Sequence, residues 1–515
     1  MSSTEKLLRT AGFMAIATLL AKICGLVREM LIAAYFATGM EGQAYVTATK
    51  LPTMLFDIVI GGVISASFIP VFNSILEQRD KAEAMAFANK FIGMVLSVTV
   101  LITVFGILFS DQLIGFLAPD FDAQTHMLAS TLSSIMFPMI IFTGLAFSFV
   151  GILQSFGEFN IPAVMSLVSN VAVILYFPLF GKKFGVHGLA YAMLISWSLQ
   201  VFIQIPSLKK IGFKFRPSLK LKDAYIKEAL LLAGPMLVST WVQPLYSIVN
   251  TRIASGMDGA VAMLEYANRL YVVVVGVFSF VVTNLIFPKL SRANASDNRQ
   301  ESDSLTVTSL KAIMIVILPL MAGFIILGKP VISIIYERGN FTAQDAELTG
   351  LALSCYSVGM IGFSINEILS KVFFSMHNSK TPMINAVASM AVNILCAYGF
   401  SKIWGVGGLA LATAAGSSVN AVLNYICLRN YKGRIFERSD WVSMGKTVCA
   451  TLLMAAVVVL LYTVLKTAVP DGLAGNLLTV GSCGVVGAGV YFAISYLIGV
   501  DEIRKIFKGG AKLEK

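Results

Sequence analysis

The sequence predicts an all-α membrane protein of about fourteen transmembrane helices, with two homologous six-helix lobes followed by two additional helices. Three observations carry this. Of the 515 residues, 57% are hydrophobic and 13% charged, with a mean hydropathy of +0.80; soluble domains run at about 45–50% apolar and about 25% charged. The apolar residues fall in blocks close to the ~20 that cross a hydrocarbon core. A stretch that starts at Phe180 recurs at Phe400.

In hydrocarbon every backbone N–H and C=O must be paired within the chain, which leaves helices or closed barrels. Continuous runs such as Ala455 to Leu465 lack the alternation of barrel strands, so the spans are helices. In chain order they are predicted over residues 7–36, 42–76, 83–110, 124–155, 160–180, 187–208, 225–255, 260–292, 303–328, 343–377, 382–403, 406–431, 441–466 and 473–499. The first begins with Lys6 and Arg9 ahead of an apolar run, as a secretory leader does. That run outlasts a leader's ~7–15 apolar residues and contains Lys22 and Arg28, so it reads as a span.

Lys and Arg gather in loops that share one side if the N-terminus is cytoplasmic. These are Lys209, Lys210, Lys214, Arg216, Lys220 and Lys222, then Lys289, Arg292 and Arg299, then Arg429, Lys432, Arg434 and Arg438, and the tail from Arg504 to Lys515. The opposite loops are richer in acid, as at Asp111, Asp120 and Asp122, with Lys182, Lys183 and Lys329 as exceptions. A multi-pass protein of the cytoplasmic membrane with both termini inside satisfies this asymmetry. The net charge of +11 then describes a basic skirt facing anionic membrane lipid, and nucleic acid is not called for as a partner.

Phe180-Gly-Lys-Lys-Phe-Gly-Val-His-Gly-Leu-Ala190 aligns with Phe400-Ser-Lys-Ile-Trp-Gly-Val-Gly-Gly-Leu-Ala410, and Ser155 and Pro162 align with Ser375 and Pro382 at the same offset. An even number of spans per repeat makes the repeats parallel, with their pseudo-axis along the membrane normal. The predicted organisation is a lobe over 1–210, a basic cytoplasmic linker over 211–224, a second lobe over 225–432, and two helices with a basic tail over 433–515.

No catalytic constellation accompanies this architecture. Six cysteines sit singly in apolar stretches, and His126, His187 and His377 lie far apart at span ends, which argues for core and interfacial roles over metal or redox chemistry. No cofactor is expected. Charge inside spans stands out instead, because a charged side chain at mid-bilayer costs at least ~2.5–3.5 kcal/mol. Lys22, Arg28 and Glu29 lie in the first span, Lys50 and Asp57 in the second, Arg252 ends the seventh, Glu265 and Arg269 lie in the eighth, and Glu367 and Lys371 in the tenth. Glu265 with Arg269 and Glu367 with Lys371 are i,i+4 pairs that can neutralise each other, and Lys50 and Asp57 share a stripe. Glu29 alone cannot satisfy both Lys22 and Arg28. A cationic cavity matched to an anionic substrate is the sharper reading. Helix breakers at Gly25, Pro52, Gly61, Gly62 and Pro235 suit helices that bend during gating.

The stretch Ala21-Lys-Ile-Cys-Gly-Leu-Val-Arg-Glu29, with Gln43-Ala-Tyr45, Lys50-Leu-Pro52, Ser67-Phe-Ile-Pro70, Glu265-Tyr-Ala-Asn-Arg-Leu270, Phe287-Pro288 and Tyr336-Glu-Arg-Gly-Asn-Phe-Thr342, resembles the MurJ (MviN) family over nearly the whole chain. The resemblance implies the multidrug/oligosaccharidyl-lipid/polysaccharide exporter fold, with a groove for a lipid tail at the last two helices. It implies a flippase of lipid II whose pyrophosphate meets Lys22, Arg28 and Arg269, driven by a monovalent cation or the membrane potential, with cell-wall synthesis proteins as further partners. This chain departs from the family pattern in two places. Phe56 and Asp57 stand where relatives often carry an arginine, which leaves Lys50 to compensate, and Gln43 stands at a commonly acidic position. The sodium site attributed to some relatives uses a carboxylate within helix 7, where this chain has only Glu228, near the start. Competing functions are export of another polyprenyl-linked saccharide, drug antiport within the same superfamily, or a non-transporting lipid-binding scaffold. An excess of base over acid in the spans disfavours the antiporter.

Overall fold

The computed structural model describes residues 3–60, 64–219, 223–296, 298–470, 472–500 and 502–504. Gly61, Gly62, Lys220, Lys222 and the basic tail from Lys505 lie outside the described residues. Within them every regular element is helical. Two compact units part between residues 262 and 263: Met1–Ala262 and Met263–Lys515.

The first unit holds α1 (Ser3–Phe36), α2 (Met40–Val59), α3 (Ile69–Gln78), α4 (Lys81–Leu108), α5 (Ser110–Leu117), α6 (Ala123–Met136), α7 (Met139–Ser155), α8 (Asn160–Tyr176), α9 (Lys182–Phe202), α10 (Ile205–Lys210), α11 (Ala224–Thr240) and α12 (Val242–Ala254). π-helical turns at Ile64–Phe68 and Phe177–Gly181 lead into α3 and α9. The second span, predicted as continuous over 42–76, is broken. α2 stops at Val59, and Pro70 starts α3, where its missing N–H costs nothing. The fourth and seventh spans break likewise, at Phe137-Pro138 between α6 and α7 and at Trp241 between α11 and α12. The short α5 was not anticipated as an element of its own.

By the sequence repeat α11 and α12 open the second lobe, yet they pack in the first unit. Lys90 on α4 bonds Asp223, the N-cap of α11, and the Tyr225 hydroxyl donates to Glu83 at 3.0 Å. Trp241 Nε1 donates to the Ile58 carbonyl at 2.7 Å. Burial alone raises the Asp223 carboxyl, but the Lys90 hydrogen bond and charge, with the Tyr225 and Ile226 amides, hold it below the ordinary value.

The second unit contains α13 (Ala260–Ala295), which straddles the boundary, then α14 (Arg299–Tyr336), α15 (Ala343–Ser357), α16 (Met360–Ser375), α17 (Lys380–Lys432), α18 (Arg438–Ala468) and α19 (Leu473–Ile498). α15 and α16 meet at a 43° bend. The last two helices share a core with α14 that includes Ala322, Leu327, Met454, Val458 and Tyr491, and Lys311 pairs with Asp440 at 2.6 Å and Glu502 at 3.3 Å. The Tyr491 hydroxyl donates to the Ile315 carbonyl at 2.9 Å.

Among the described residues eight helical segments are long and apolar enough to cross a membrane, or nine if the bent α15–α16 pair is one span. Length and composition alone thus do not reach the expected fourteen. Two of the eight, Asn160–Lys210 and Lys380–Lys432, each join two helices across a glycine kink. The seventh falls short because α11 and α12 have only 17 and 13 residues, and α1 and α2, with 34 and 20 residues, are long enough but not among the eight.

The repeat is legible in the backbone. Gly185 has φ 51°, ψ −144° and Gly405 has φ 52°, ψ −127°, a region open essentially to glycine alone, and the two stand at matching positions of the repeated motif. Gly157 and His377, also at matching positions, both have positive φ (76° and 58°) and close the same turn. The Gly157 and Glu158 amides donate to the Gln154 and Leu153 carbonyls, as the His377 and Asn378 amides do to those of Phe374 and Phe373.

Candidate functional site

The in-span charges of the first unit separate into two groups. On α1, Glu29 is buried and Arg28 is 19% exposed along its side chain. Arg28 Nη2 lies 2.6 Å from Glu29 Oε1, and Nη1 donates to Asn170 Oδ1 on α8 at 2.9 Å. The Asn170 amide Nδ2 in turn donates to the Ala21 carbonyl at 3.0 Å. One buried asparagine thereby ties α1 to α8 and aims the guanidinium. Gly25 lies beside this contact, since a Cβ there would stand 3.4 Å from Asn170 Nδ2. Lys22, on the same helix, is exposed, with no hydrogen bond or ion pair among the described residues. Glu29 and Asn170 therefore serve Arg28, and Lys22 keeps its charge for something else.

On α2, Lys50 Nζ lies 3.3 Å from the hydroxyl of Thr251, a buried residue of α12. The neighbouring Arg252 donates Nη1 to the Phe116 carbonyl at the end of α5 at 2.7 Å, with its guanidinium 5.5 Å from the Phe116 ring centre. Asp57 lines a cavity of about 230 Å³ with Pro52, Thr53, Thr143, Phe147 and Trp197. Pro52 is buried inside α2; Pro235 lies within α11, and its surroundings are outside the described residues.

In the second unit Arg269 pairs with Glu265 at 3.1 Å, as the i,i+4 spacing predicts. Glu367 and Lys371, the parallel case, are not joined by a close ion pair, although their charges still interact. Lys371 Nζ also lies 5.7 Å and 5.8 Å from the Phe287 and Phe374 ring centres, where aromatic faces add to the stabilisation of the ammonium. The described residues contain no cluster of three or more His, Cys, Asp or Glu able to hold a metal ion.

Sequence reasoning missed the neutral partners: Asn170 for Arg28, Thr251 for Lys50 and the Phe116 carbonyl for Arg252. An asparagine inside the apolar run of α8 is the one signal that was available.

The sequence model of the family described as lipid II flippase MurJ matches residues 32–474. The chain belongs to the MurJ family. Among its relatives are the probable lipid II flippase MurJ of Rickettsia prowazekii, 28% identical over 96% of this chain and 98% of that protein, and the lipid II flippase MurJ of Burkholderia cenocepacia, 27% identical over 97% and 98%. A solved MurJ in an inward closed conformation superposes with a TM-score of 0.80 at 25% identity, covering 95% of this chain and 99% of that one. A multidrug resistance MATE transporter in an inward-facing conformation superposes at 0.68 with 16% identity, over 81% and 95%, a likeness of fold alone. The chain is a multi-pass membrane transport protein and not an enzyme. Lys22, Arg28 and Glu29 precede the matched MurJ region, so their placement rests on the geometry of α1.

Proposed function

We propose that this chain flips lipid II, the lipid-linked peptidoglycan precursor, from the inner to the outer leaflet of the cytoplasmic membrane by alternating access of its two six-helix lobes. The MurJ family match over residues 32–474 carries the reading. Lys22, Arg28 and Arg269 receive the pyrophosphate, with Lys50, Glu29, Asp57 and Arg252 around the path. The exposed, unpaired state of Lys22 supports this, because leaving an ammonium in a span without a partner costs several kcal/mol unless water or an anion meets it. Asn170 and Glu29 fix the position of the Arg28 guanidinium, whose Nη groups each keep one further hydrogen for phosphate oxygens. Gly25, Pro52, Gly61, Gly62 and Pro235 are the proposed points of bending.

Both termini face the cytoplasm in this reading, and the basic loops face anionic lipid. A cationic chamber moving across the bilayer couples to the membrane potential at ~2.3 kcal/mol per charge per 100 mV. Coupling to a monovalent cation is the alternative drive. Cell-wall synthesis proteins are the natural neighbours on the delivery side.

Purified protein reconstituted into liposomes with a headgroup-labelled lipid II tests the proposal. Label should become accessible to an external quencher on both leaflets, faster with the protein than with liposomes alone. Equal rates with and without protein, under an imposed potential of either sign, would overturn it.

A further inference from the structure

A second polar feature lies away from the in-span charges, in the second unit, where α13 and α16 end, α14 begins and α17 ends. A pocket of about 340 Å³ there is lined by Asn294, Arg299, Ser375, His377, Tyr431 and Lys432, among others. We infer that this pocket binds a phosphate-bearing anion.

Charge is the first argument. Lys432 is buried, and its ammonium bonds Ser302 Oγ at 2.8 Å and Asp303 Oδ1 at 2.9 Å. Arg299 reaches the same Asp303 only at 3.7 Å, and its side chain is 65% exposed. One carboxylate therefore serves two cations, and the guanidinium retains free donors at the pocket mouth. Arg299 is also the first residue of α14, where the helix dipole is positive. Asn294 Nδ2 and Ser375 Oγ, of two further lining residues, are 2.6 Å apart, and Tyr431 lines the pocket as well.

Backbone geometry is the second. His377 has φ 58°, a conformation L-residues rarely adopt, whereas the same turn in the first repeat uses Gly157. A glycine would make the turn without strain. Residues kept in such conformations concentrate at ligand sites, and here the residue lines the pocket. The guanidinium, imidazole, hydroxyl and amide groups together match the oxygens of a phosphate monoester or diester. The basic-loop asymmetry assigns this end to the cytoplasm, where both anionic phospholipid headgroups and soluble phosphates are available. The inference is independent of the lipid II reading, which uses other residues.

The test uses full-length protein in nanodiscs of phosphatidylcholine, titrated separately with short-chain phosphatidic acid and with inorganic phosphate, and read by calorimetry and thermal unfolding. Saturable binding of at least one probe is expected, at least tenfold weaker in Arg299→Gln and in His377→Gly. His377→Gly should unfold no earlier than the parent, because it relieves the turn. Binding of phosphatidic acid alone identifies a lipid headgroup site; equal binding of both probes identifies a site for soluble phosphates. The inference is overturned if neither probe binds, if both variants bind as the parent does, or if Arg434→Gln, an exposed charge outside the lining, weakens binding equally.

Discussion

Arg28 and Asn170, 142 residues apart, share a 2.9 Å hydrogen bond that joins α1 to α8, and the same amide reaches back to the Ala21 carbonyl at 3.0 Å. The asparagine thus braces both the cation and the helix that carries it. Asn170→Leu should lower stability by about 1–2 kcal/mol, the worth of a hydrogen bond to a charged group less what a membrane protein recovers elsewhere. Its effect on transport should be larger, because the arginine loses its aim. Asn170→Asp keeps a partner for Arg28 but loses the donor to Ala21 and should fall between. Denaturant unfolding in detergent, beside complementation of a depleted strain, checks all three; wild-type behaviour of Asn170→Leu in both assays would remove the brace from the account.

Gly185 and Gly405 carry the two repeats through the same kink, at φ 51° and 52°, and a Cβ at either would meet nothing within 4 Å. Any cost of substitution is therefore conformational and not steric. Gly185→Ala and Gly405→Ala should each destabilise by about 1–3 kcal/mol, and by similar amounts, since the strain is the same. Thermal unfolding of the two variants measures this, and a difference above about 1.5 kcal/mol between them would contradict the equivalence.

Gly106 and Gly276 make the opposite comparison. A Cβ on Gly106 would lie 2.1 Å from the Phe137 ring, itself fully buried, whereas one on Gly276 meets nothing within 4 Å. Gly106→Ala should cost about 1–3 kcal/mol through overpacking or a shifted ring, while Gly276→Ala should be neutral or gain up to about 1 kcal/mol in helix propensity. Expression and unfolding of the pair give the answer.

Acid should loosen the joint between α4 and α11. Asp223 is held below the ordinary carboxylate value once the Lys90 bond and charge outweigh burial. Because the folded value is the lower one, its contribution is complete above the unfolded value, near 4, and fades as pH falls through the folded value. Parent protein should lose stability below about pH 4, and Asp223→Asn should be weaker at neutral pH and show less of that acid slope. Unfolding midpoints between pH 7 and 3 check the sign.

The class and the repeat were legible because they rest on local chemistry, whereas the breaks at Phe137-Pro138 and Trp241 were not. Hydropathy blocks mark helices whatever their neighbours do, and the aligned strings at Phe180 and Phe400 contain Gly185 and Gly405, the residues at which the predicted spans part. The pairing of charges was only half legible. Spacing found Glu265 with Arg269, because i,i+4 neighbours meet on any helix. The same rule placed Lys371 near Glu367 but could not show Phe287, which comes from another helix and cannot be read from spacing. Asn170, Thr251 and the Phe116 carbonyl were invisible for that reason: each is a neutral group made a partner by tertiary packing. The placement of α11 and α12 in the first unit is likewise set by the Lys90–Asp223 and Lys50–Thr251 contacts, which no repeat alignment contains.

Neutral substitutions at Lys22, Arg28 and Arg269 should each abolish complementation with normal membrane insertion. Lys22→Gln is the cleanest of these, since no described partner is left uncompensated. Membrane fractions by immunoblot, beside growth on depletion of the parent, separate loss of function from loss of protein. Retained growth in all three would argue against these residues as the anion site.

The most direct measurement depletes the protein in cells that lack any other lipid II flippase and follows which leaflet the precursor occupies, using an externally added enzyme that cleaves only outward-facing lipid II. The precursor should accumulate uncleaved on the inner side and return to the outer side when the parent chain, but not Lys22→Gln, is restored. Cleavage at the undepleted rate throughout would contradict the account.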